Sequence, residues 1–380
     1  MAQGGFLLDN EKMAKNFAPY WQSRRDTLRQ RAKESGLDGY LTFDFSDVRY
    51  LTGFPSEGCF VLVTSAGDFV FSPLLLYAHL QTHCASDKKI KLVCERLLLD
   101  ALQKTIAKQS LKKIGFDSAK VTVSLWQSLT KSKEAEFVPL ESFVLKQRMV
   151  KDAAEIELIA KACKITHESS AFCLAHLRAG VSEEALAHQL EQQFYDRGSR
   201  QVAFETIVAF GGHASYPHHV LTSKKLKKSS VVLMDLGCQI DGYKSDLTRT
   251  GYFGKMSGRF REIYSVVLQS QLAGIAAVRA GVTAGSIDAV CREVIAKAGY
   301  GDYFIHGTGH GVGLDIHEPP RLGIGSAEIL AENMVVTVEP GIYLPGEFGV
   351  RIEDSVLVGK QGCKILTASG STKIDRTKIL

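Results

Sequence analysis

The chain has 380 residues, 45% of them hydrophobic and 23% charged, and its formal net charge is +5. This length suggests roughly two domains, and the composition is typical of a soluble globular protein. The small positive charge gives no indication of nucleic acid binding, because the densest basic run, KKLKK at 224–228, is best explained as a solvated loop.

Cysteine usage and hydropathy bear on the compartment. The eight cysteines form no Cys-x-x-Cys pair and lie in apolar or helical patterns, as free buried thiols do. The N-terminus has no signal peptide pattern, and no apolar run approaches the roughly 20 residues that a membrane span requires. We therefore expect a cytoplasmic protein that has no membrane as a partner.

The first part of the chain, 1–145, predicts a small α/β unit. After a weakly patterned stretch at 1–20, apolar periodicity alternates between helix and strand. We expect helical segments at 21–34, 74–83 and 96–108 and strands at 39–43, 59–64, 69–71 and 113–116. No catalytic constellation is visible in this part, so we expect the chemistry in the remainder of the chain.

The second part, 146–380, opens with a helix signal, because Asp152 and Glu155 have the spacing of a capping box. We expect helices at 153–178, 182–198, 259–279 and 285–298, a strand at 204–210, and hairpins at 231–251 and 335–358. The overall pattern therefore predicts an α/β (α+β) fold with two domains.

Two stretches of the second part repeat. VVLMDLG at 231–237 aligns without a gap with VVTVEPG at 335–341, and the helical segments at 178–198 and 279–299 also match. Each half therefore predicts two helices followed by a hairpin that bears two acids. We expect an internal duplication whose halves pack face to face and bring four carboxylates to one centre.

The later hairpin carries Glu339 and Glu353, which are equidistant from Gly346. In a simple hairpin they are directly opposed, about 5 Å apart at Cβ, where like charges are destabilising. A cation is therefore expected between them. Arg351 lies on the same face as Glu353, but a single guanidinium is the weaker explanation.

The earlier hairpin carries Asp235 and Asp246, which are equidistant from the centre of a four-residue turn at 239–242. That turn makes the two aspartates opposed as well. A two-residue turn at Asp241-Gly242 is the alternative, and it pairs Asp246 with Gly237 instead.

Four carboxylates balance the charge of two divalent cations, so the two hairpins together predict a two-metal site. His310 is the candidate imidazole ligand, because the glycines on both sides of it permit close approach and backbone conformations closed to other residues. One imidazole among carboxylates favours Mn, Fe, Co or Zn over Mg or Ca. Two such ions share a bridging water, lower its pKa and polarise a carbonyl.

Several histidines from separate loops are expected around this site. Histidine transfers protons near neutral pH and stabilises an oxyanion. His219 is the weakest candidate, because strand alternation points it away from His218. The candidates are His218, His219, His306 and His317.

These motifs resemble the superfamily of methionine aminopeptidase, prolidase, aminopeptidase P and creatinase, which has the pita-bread fold. The resemblance rests on MDLG, SDLTRT, GTGHGVG, TVEPGIY, GVRIEDSVLV and the upstream PHH, and it covers 146–360. SDVRYLTGF at 46–54 resembles the N-terminal domain of the proline-specific members. The resemblance implies a creatinase/prolidase-like domain at 1–145 and a pita-bread catalytic domain at 146–380.

The resemblance also implies residue roles. Asp246 and Glu353 bridge the two metals, and Glu339 is both a ligand and the proton shuttle. His218 and His317 contact the substrate and stabilise the reaction, whereas a second set binds the substrate. The implied metal ligands are Asp235, Asp246, His310, Glu339 and Glu353, and the implied substrate-binding residues are His306, Arg351 and Tyr343. One departure is His213, where members of the superfamily often carry Asn.

The implied activity is hydrolysis of the X-Pro bond at the N-terminus of peptides, by a hydroxide that bridges two metals. Mn is the expected metal, with Co or Zn as alternatives, and a homodimer is expected. An X-Pro bond has no N–H and a fixed proline ring, so it needs a dedicated site. The alternative functions are an Xaa-Pro dipeptidase (prolidase) on the same site, a metal-free creatinase-type enzyme, and a non-catalytic binding module.

Overall fold

The computed structural model describes residues 3–55, 57–85 and 87–368, with side chains from residue 17 onward. Contacts divide the chain into two compact units, Met1–Arg148 and Met149–Leu380. Within the described residues, no helix is long and apolar enough to cross a membrane.

The first unit is an α/β layer built on one six-stranded sheet. Its strands are β1 (Gly39–Thr42), β2 (Phe60–Thr64), β3 (Gly67–Ser72), β4 (Ile90–Cys94), β5 (Lys113–Asp117) and β6 (Glu136–Leu140). They follow the order β4-β3-β2-β1-β5-β6, with the pairs β1–β2 and β2–β3 antiparallel and the other pairs parallel. This mixed sheet agrees with the α/β pattern of the sequence.

Six helices accompany that sheet. They are α1 (Gln3–Glu34), α2 (Phe45–Thr52), α3 (Tyr77–His83), α4 (Leu98–Lys108), α5 (Val123–Leu129) and α6 (Phe143–Arg148). The sequence predicted a first helix from residue 21, but α1 begins at Gln3, so the weakly patterned stretch is helical from there. The error has a physical reason: a helix without a regular apolar stripe gives no periodic signal.

In its described part, 149–368, the second unit combines four α-helices with short strands. Its helices are α7 (Ala153–Ala175), α8 (Glu183–Asp196), α9 (Gly258–Ala277) and α10 (Ala284–Lys297). Asp152 and Glu155 form the predicted capping box at the start of α7. Ser182 caps α8 and Thr283 caps α10, each by accepting a backbone N–H of the first turn.

The strands of the second unit fall into two matching sets. The first set is β7 (Gln201–Val202), β8 (Ile207–Phe210), β9 (Ser230–Leu236), β10 (Cys238–Ile240), β11 (Tyr243–Lys244) and β12 (Leu247–Phe253). The second set is β13 (Gly309–Gly311), β14 (Glu318–Leu322), β15 (Val335–Val338), β16 (Gly341–Leu344), β17 (Phe348–Arg351), β18 (Asp354–Val358) and β19 (Cys363–Ile365).

The two sets repeat one arrangement, as the internal duplication predicts. In the first half β9 lies between β8 and β12, and in the second half β15 lies between β13 and β18, with every pair antiparallel. Each set follows a pair of helices, α7 with α8 and α9 with α10. The repeat places β9 and β15 in equivalent positions, and Asp235 and Glu339 lie at or just beyond their ends.

Alternation along β9 explains how an acid reaches the interior. Val231 and Leu233 pack in the core that includes α9, α10 and the later hairpin, whereas Val232 and Met234 pack in the core that includes α7 and α8. Asp235 continues the face of Leu233, since side chains two apart share a face. The strand is apolar on both faces from Val231 to Met234, and Asp235 follows.

Candidate metal centre

The later hairpin has the predicted register. Val338 pairs with Asp354 in one ladder and Gly341 pairs with Arg351 in the next, so both ladders are symmetric about Gly346. Glu339 and Glu353 face each other between the ladders. Their backbone amides bond elsewhere: the N–H of Glu339 donates to Thr308 at 2.7 Å and that of Glu353 donates to Thr248 at 3.2 Å.

The earlier hairpin does not have the opposed register that a four-residue turn predicts. Asp235 pairs with Thr248, and the same register places Asp246 opposite Gly237. The reason is a two-residue turn, because Asp241 and Gly242 both have positive φ, at 49° and 83°. Type I′ turns need that conformation and favour the Asp-Gly dipeptide. The alternative turn is therefore the correct one.

Three of the four acids nevertheless converge. Asp246 and Thr248 lie two residues apart, so Asp246 is the diagonal neighbour of Asp235 across the strand pair, within reach of its side chain. One carboxylate oxygen each of Asp235, Asp246 and Glu353 lie within 4.8 Å of one another. Although the register differs from the one that a four-residue turn predicts, the carboxylates still lie in one cluster.

His310 and Glu339 complete this cluster. His310 Nε2 lies 3.3 Å from Glu339 Oε1 and 3.6 Å from Asp246 Oδ2. The other ring nitrogen, Nδ1, lies 3.0 Å from the carbonyl oxygen of Gly311 and is placed to donate to it. That hydrogen bond fixes the ring and turns Nε2 toward the carboxylates, the arrangement usual for metal-binding histidines.

Glycines flank His310 because the chain is crowded there. A Cβ on residue 309 would lie 2.1 Å from the carbonyl oxygen of Thr337, and one on residue 311 would lie 2.3 Å from that of Pro319. Neither glycine is among those with positive φ. Of the two reasons that the sequence suggested, close approach is therefore the one that applies.

The donor set fits divalent metal ions. Asp235 Oδ1 and Glu353 Oε1 are buried and have no hydrogen-bond partner among the residues that the structure describes. Leaving buried carboxylate oxygens unpaired costs free energy, so such atoms call for a ligand. Both belong to the convergent cluster, and a cation shared by the cluster would satisfy them.

Charge repulsion within the cluster appears in the pKa values. Burial and the charge of Asp235 raise the pKa of Asp246 well above its usual value, and burial and the charge of Asp246 do the same for Glu353. Burial opposes charge on Glu339 too, but the hydrogen bond with His310 and the charges of His310, His306 and Arg351 together outweigh burial and lower the pKa to about 2. His310 therefore stabilises the charge of Glu339, whereas the pKa values of Asp246 and Glu353 remain raised.

His310 shows the complementary shift. Burial lowers the pKa of its imidazole, but the hydrogen bond to Glu339 and the charges of Glu339 and Asp246 outweigh burial and raise the pKa to about 9. Without a metal, His310 is therefore a cation within the cluster. A bound metal would replace that proton at Nε2.

Arg351 and Tyr343 lie behind the cluster. Arg351 Nη2 donates to Asp235 Oδ2 at 2.6 Å and Nη1 donates to the hydroxyl of Tyr343 at 2.6 Å. The Tyr343 hydroxyl also lies 2.9 Å from His306 Nε2. The Arg351 side chain is only 2% exposed, so its guanidinium orients Asp235 from within the protein.

The remaining predicted histidines divide between two places. The rings of His317 and His310 are 4.4 Å apart in an edge-to-face contact. Burial and the charges of His310 and His218 lower the pKa of His317, so His218 lies near His317. His219 turns away as predicted, and its Nε2 lies 2.9 Å from Glu183 instead.

Supporting residues escaped the sequence analysis. Thr248 Oγ1 donates to Glu353 at 2.8 Å, and Thr337 Oγ1 donates to Glu339 at 3.1 Å. Asp288 on α10 accepts both the N–H and the hydroxyl of Thr308, at 3.0 and 2.9 Å, in the loop before His310. Of these residues, only Asp288 gave a signal in the sequence, as an acid among the apolar positions of α10.

Comparisons with known proteins agree with this centre. The model of metallopeptidase family M24 matches residues 157–360, and that of the creatinase/prolidase N-terminal domain matches residues 24–150. An Xaa-Pro dipeptidase from Pyrococcus horikoshii is 33% identical over 337 residues, which cover 88% of this chain and 93% of that protein.

Solved structures are similar over almost the whole chain. An Xaa-Pro dipeptidase from Bacillus anthracis has a TM-score of 0.88 at 34% identity, covering 93% of this chain and 99% of that one. An X-Pro aminopeptidase from Thermotoga maritima has a TM-score of 0.83 at 32% identity, covering 89% and 98%. The chain belongs to metallopeptidase family M24, and its pita-bread domain follows a creatinase/prolidase N-terminal domain.

Proposed function

We propose that this metallopeptidase is an Xaa-Pro dipeptidase with two divalent metal ions. The observation that carries the proposal is the convergence of His310 with four carboxylates, two of which have unpaired buried oxygens. The proposed ligands are Asp235, Asp246, His310, Glu339 and Glu353. Bound there, the two ions would polarise the scissile carbonyl and lower the pKa of a water molecule.

The protein's own side chains would orient the substrate and transfer protons during the reaction. Glu339 is ionised and 17% exposed, so its carboxylate is available to accept a proton from the water and pass it to the leaving amine. His317 has a lowered pKa and so stays neutral, which suits it to hydrogen bonding with the substrate. We assign His218, which lies near His317, to the developing oxyanion.

Substrate binding is proposed for the network behind the centre. His306 accepts from Tyr343 through Nε2 while its Nδ1 lies 2.8 Å from the carbonyl oxygen of Gly307. Burial lowers the pKa of His306, so the ring is neutral. We assign His306 to the proline pocket, with Tyr343 and Arg351 holding it in position.

The dipeptidase replaces the aminopeptidase that the sequence favoured. The supporting observations are the relatives from Pyrococcus horikoshii and Bacillus anthracis, both named Xaa-Pro dipeptidases and both matched over more than nine tenths of their lengths. The aminopeptidase remains the second candidate, because the protein from Thermotoga maritima is named an X-Pro aminopeptidase and is nearly as similar.

A side-by-side assay separates the two. Metal-free protein is reconstituted with Mn²⁺ and offered an X-Pro dipeptide and an X-Pro-Y-Z tetrapeptide with the same X. We expect cleavage of the dipeptide with the higher kcat/KM. Cleavage of the tetrapeptide alone would establish the aminopeptidase, and cleavage of neither by metal-loaded protein would require another substrate.

Manganese is the ion that we propose for the centre. The support is the proposed ligand set, four carboxylates and one imidazole, which is harder than a zinc site of histidine or cysteine. Activity restored by Mn²⁺ at lower free concentration than by Co²⁺ or Zn²⁺ is the expected result. The reverse order would assign a different ion.

We further propose a homodimer in the cytoplasm, with all catalytic residues in the domain at 146–380. All eight cysteines lie in the described part of the chain as free thiols, which supports a reducing compartment. Light scattering on the purified protein tests the dimer, and a mass of one chain would contradict it.

A further inference from the structure

A second cluster of metal-binding side chains lies outside the proposed catalytic centre. Glu183 is the first residue of α8, and its side chain is fully buried. His213 Nδ1 lies 2.9 Å from Glu183 Oε1, and His219 Nε2 lies 2.9 Å from Glu183 Oε2. The two imidazole rings are 4.4 Å apart. One ligand atom from each of the three residues lies within 4.8 Å of the others.

The carboxylate of this cluster is held in place by groups that are not histidines. The N–H of Phe210 donates to Oε1 at 2.8 Å, and the Thr222 hydroxyl donates to Oε2 at 2.5 Å. Burial opposes its charge, but these hydrogen bonds, with those from the histidines, lower the pKa of Glu183. Glu183 is therefore an anion whose orientation is fixed, as ligating carboxylates are in metal sites.

The cluster differs from the proposed catalytic centre in its distances and in its composition. Its nitrogen to oxygen distances of 2.9 Å compare with 3.3 and 3.6 Å around His310. Two imidazoles with one carboxylate favour late first-row ions, whereas a carboxylate-rich set also suits Mn²⁺. The side chain of His213 is 30% exposed, which gives an ion access from solvent.

We propose that Glu183, His213 and His219 form a separate mononuclear site for a Zn²⁺-class ion. Each imidazole would present the nitrogen that now faces the carboxylate and carry its proton on the opposite ring nitrogen. The three protein ligands leave a position for water on the side of His213.

Such an ion would join the start of α8 to the loop that carries His218. His213 belongs to the 3-10 turn Gly211–Ser215, and His219 directly follows His218. With His213 and His219 both bound to the ion that Glu183 holds, the segment between them would lose conformational freedom. The site is thus a positioning device for His218 and is not part of the reaction.

Metal counting tests the site directly. Protein is dialysed against Zn²⁺ and the bound zinc is measured by mass spectrometry. We expect three ions per chain for the unchanged protein and two for His213→Ala. The matched control is His188→Ala, which should keep three ions. His188 is an exposed histidine on α8, the helix that begins with Glu183. Equal zinc content in the unchanged protein and in His213→Ala would overturn the proposal.

A second set of variants separates this site from the catalytic centre. The double substitution Asp246→Asn with Glu353→Gln should lose the two catalytic ions and keep one. With Cu²⁺ as the probe, that remaining ion should show two imidazole nitrogens in its electron paramagnetic resonance spectrum. A spectrum without two nitrogens contradicts the site, whereas failure of the dipeptidase proposal alone leaves the spectrum unchanged.

Two further variants guard against a folding defect in His213→Ala. His219→Gln should also lower the affinity for Zn²⁺, by at least about 100-fold. Lys224→Gln should raise it, because Lys224 Nζ donates to the carbonyl oxygen of Phe210 at 2.6 Å and places a positive charge beside the cluster. Unchanged affinity in both variants would refute the assignment, since a misfolded loop cannot bind zinc more tightly.

Discussion

At the scale of single residues, the strongest indication of a metal site is a pair of buried carboxylate oxygens that find no partner in the described part of the chain. Asp235 Oδ1 and Glu353 Oε1 are buried without a hydrogen bond to any described residue, and Asp246 is 5% exposed beside them. A stable protein tolerates such a cluster only when its charge is balanced. The sequence predicted all five side chains of the proposed metal site, because acids in repeated hairpins and a histidine between glycines stand out from apolar patterns.

Asp246→Asn tests that view, because it keeps the shape of the side chain and removes its charge. We expect metal content to fall and kcat/KM to drop by at least about 100-fold, the upper end of losses seen when residues that merely support a ligand are changed. The control is Asp241→Asn, an exposed residue of the same hairpin, which should stay within about twofold. Similar losses in both variants would show a folding effect instead.

Metal binding should release protons. His310 has a pKa of about 9 in the metal-free protein, and the pKa values of Asp246 and Glu353 are well above their usual ones. These groups must lose their protons to act as ligands. At about pH 7 we expect at least one proton released for each chain that binds metal, with affinity rising as the pH rises.

Calorimetry in two buffers of different ionisation enthalpy measures that release. The sign follows from the direction of the shifts: raised pKa values mean that the metal-free protein holds protons that the metal-bound protein lacks. Identical heats in both buffers would contradict the proposed ligands.

At the scale of elements, the residues of each turn determine the register of its hairpin, and the register was predicted correctly for one hairpin of two. The turn at Gly346 sets the register of the later hairpin as predicted. In the earlier hairpin two turns fit the spacing, and symmetry of the two acids favoured the wrong one. The Asp241-Gly242 dipeptide carried the correct signal, since both residues have positive φ. Local turn preference outweighed the symmetry argument.

Gly309→Ala tests how closely the chain must approach at His310. An added Cβ would lie 2.1 Å from the carbonyl oxygen of Thr337, so the strand must shift and carry His310 with it. We expect weaker metal binding and a lower melting temperature. The control is Gly258→Ala at the start of α9, where an added Cβ meets no atom within 4 Å.

Thermal melts of both variants, each with and without Mn²⁺, measure these effects. Gly258→Ala should match the unchanged protein or exceed it slightly, because alanine favours helix. If Gly309→Ala keeps full affinity for the metal, the close approach has no part in placing His310.

At the scale of the whole molecule, the duplication was visible because apolar strands and paired acids recur in register. The helix from Gln3 and the strands β4 and β6 were not predicted. Their sequences lack a clean period, and β6 contains Pro139. The two strands form because a neighbouring strand completes their hydrogen bonds, and tertiary pairing of that kind leaves little local signal.

The division into two compact units predicts two unfolding transitions. Only the unit that contains the ligands should respond to metal. Mn²⁺ at 100 times its Kd should stabilise that unit by about 2.7 kcal/mol, or roughly 5–10 °C. Differential scanning calorimetry with and without chelator measures both transitions, and equal shifts in the two would contradict the separation.

The central claim is that five side chains hold two metal ions. Anomalous diffraction from crystals of the protein loaded with Mn²⁺ tests it most directly. We expect two manganese peaks among Asp235, Asp246, His310, Glu339 and Glu353. No peak within this cluster, or a single peak that fails to contact both Asp246 and Glu353, would contradict it.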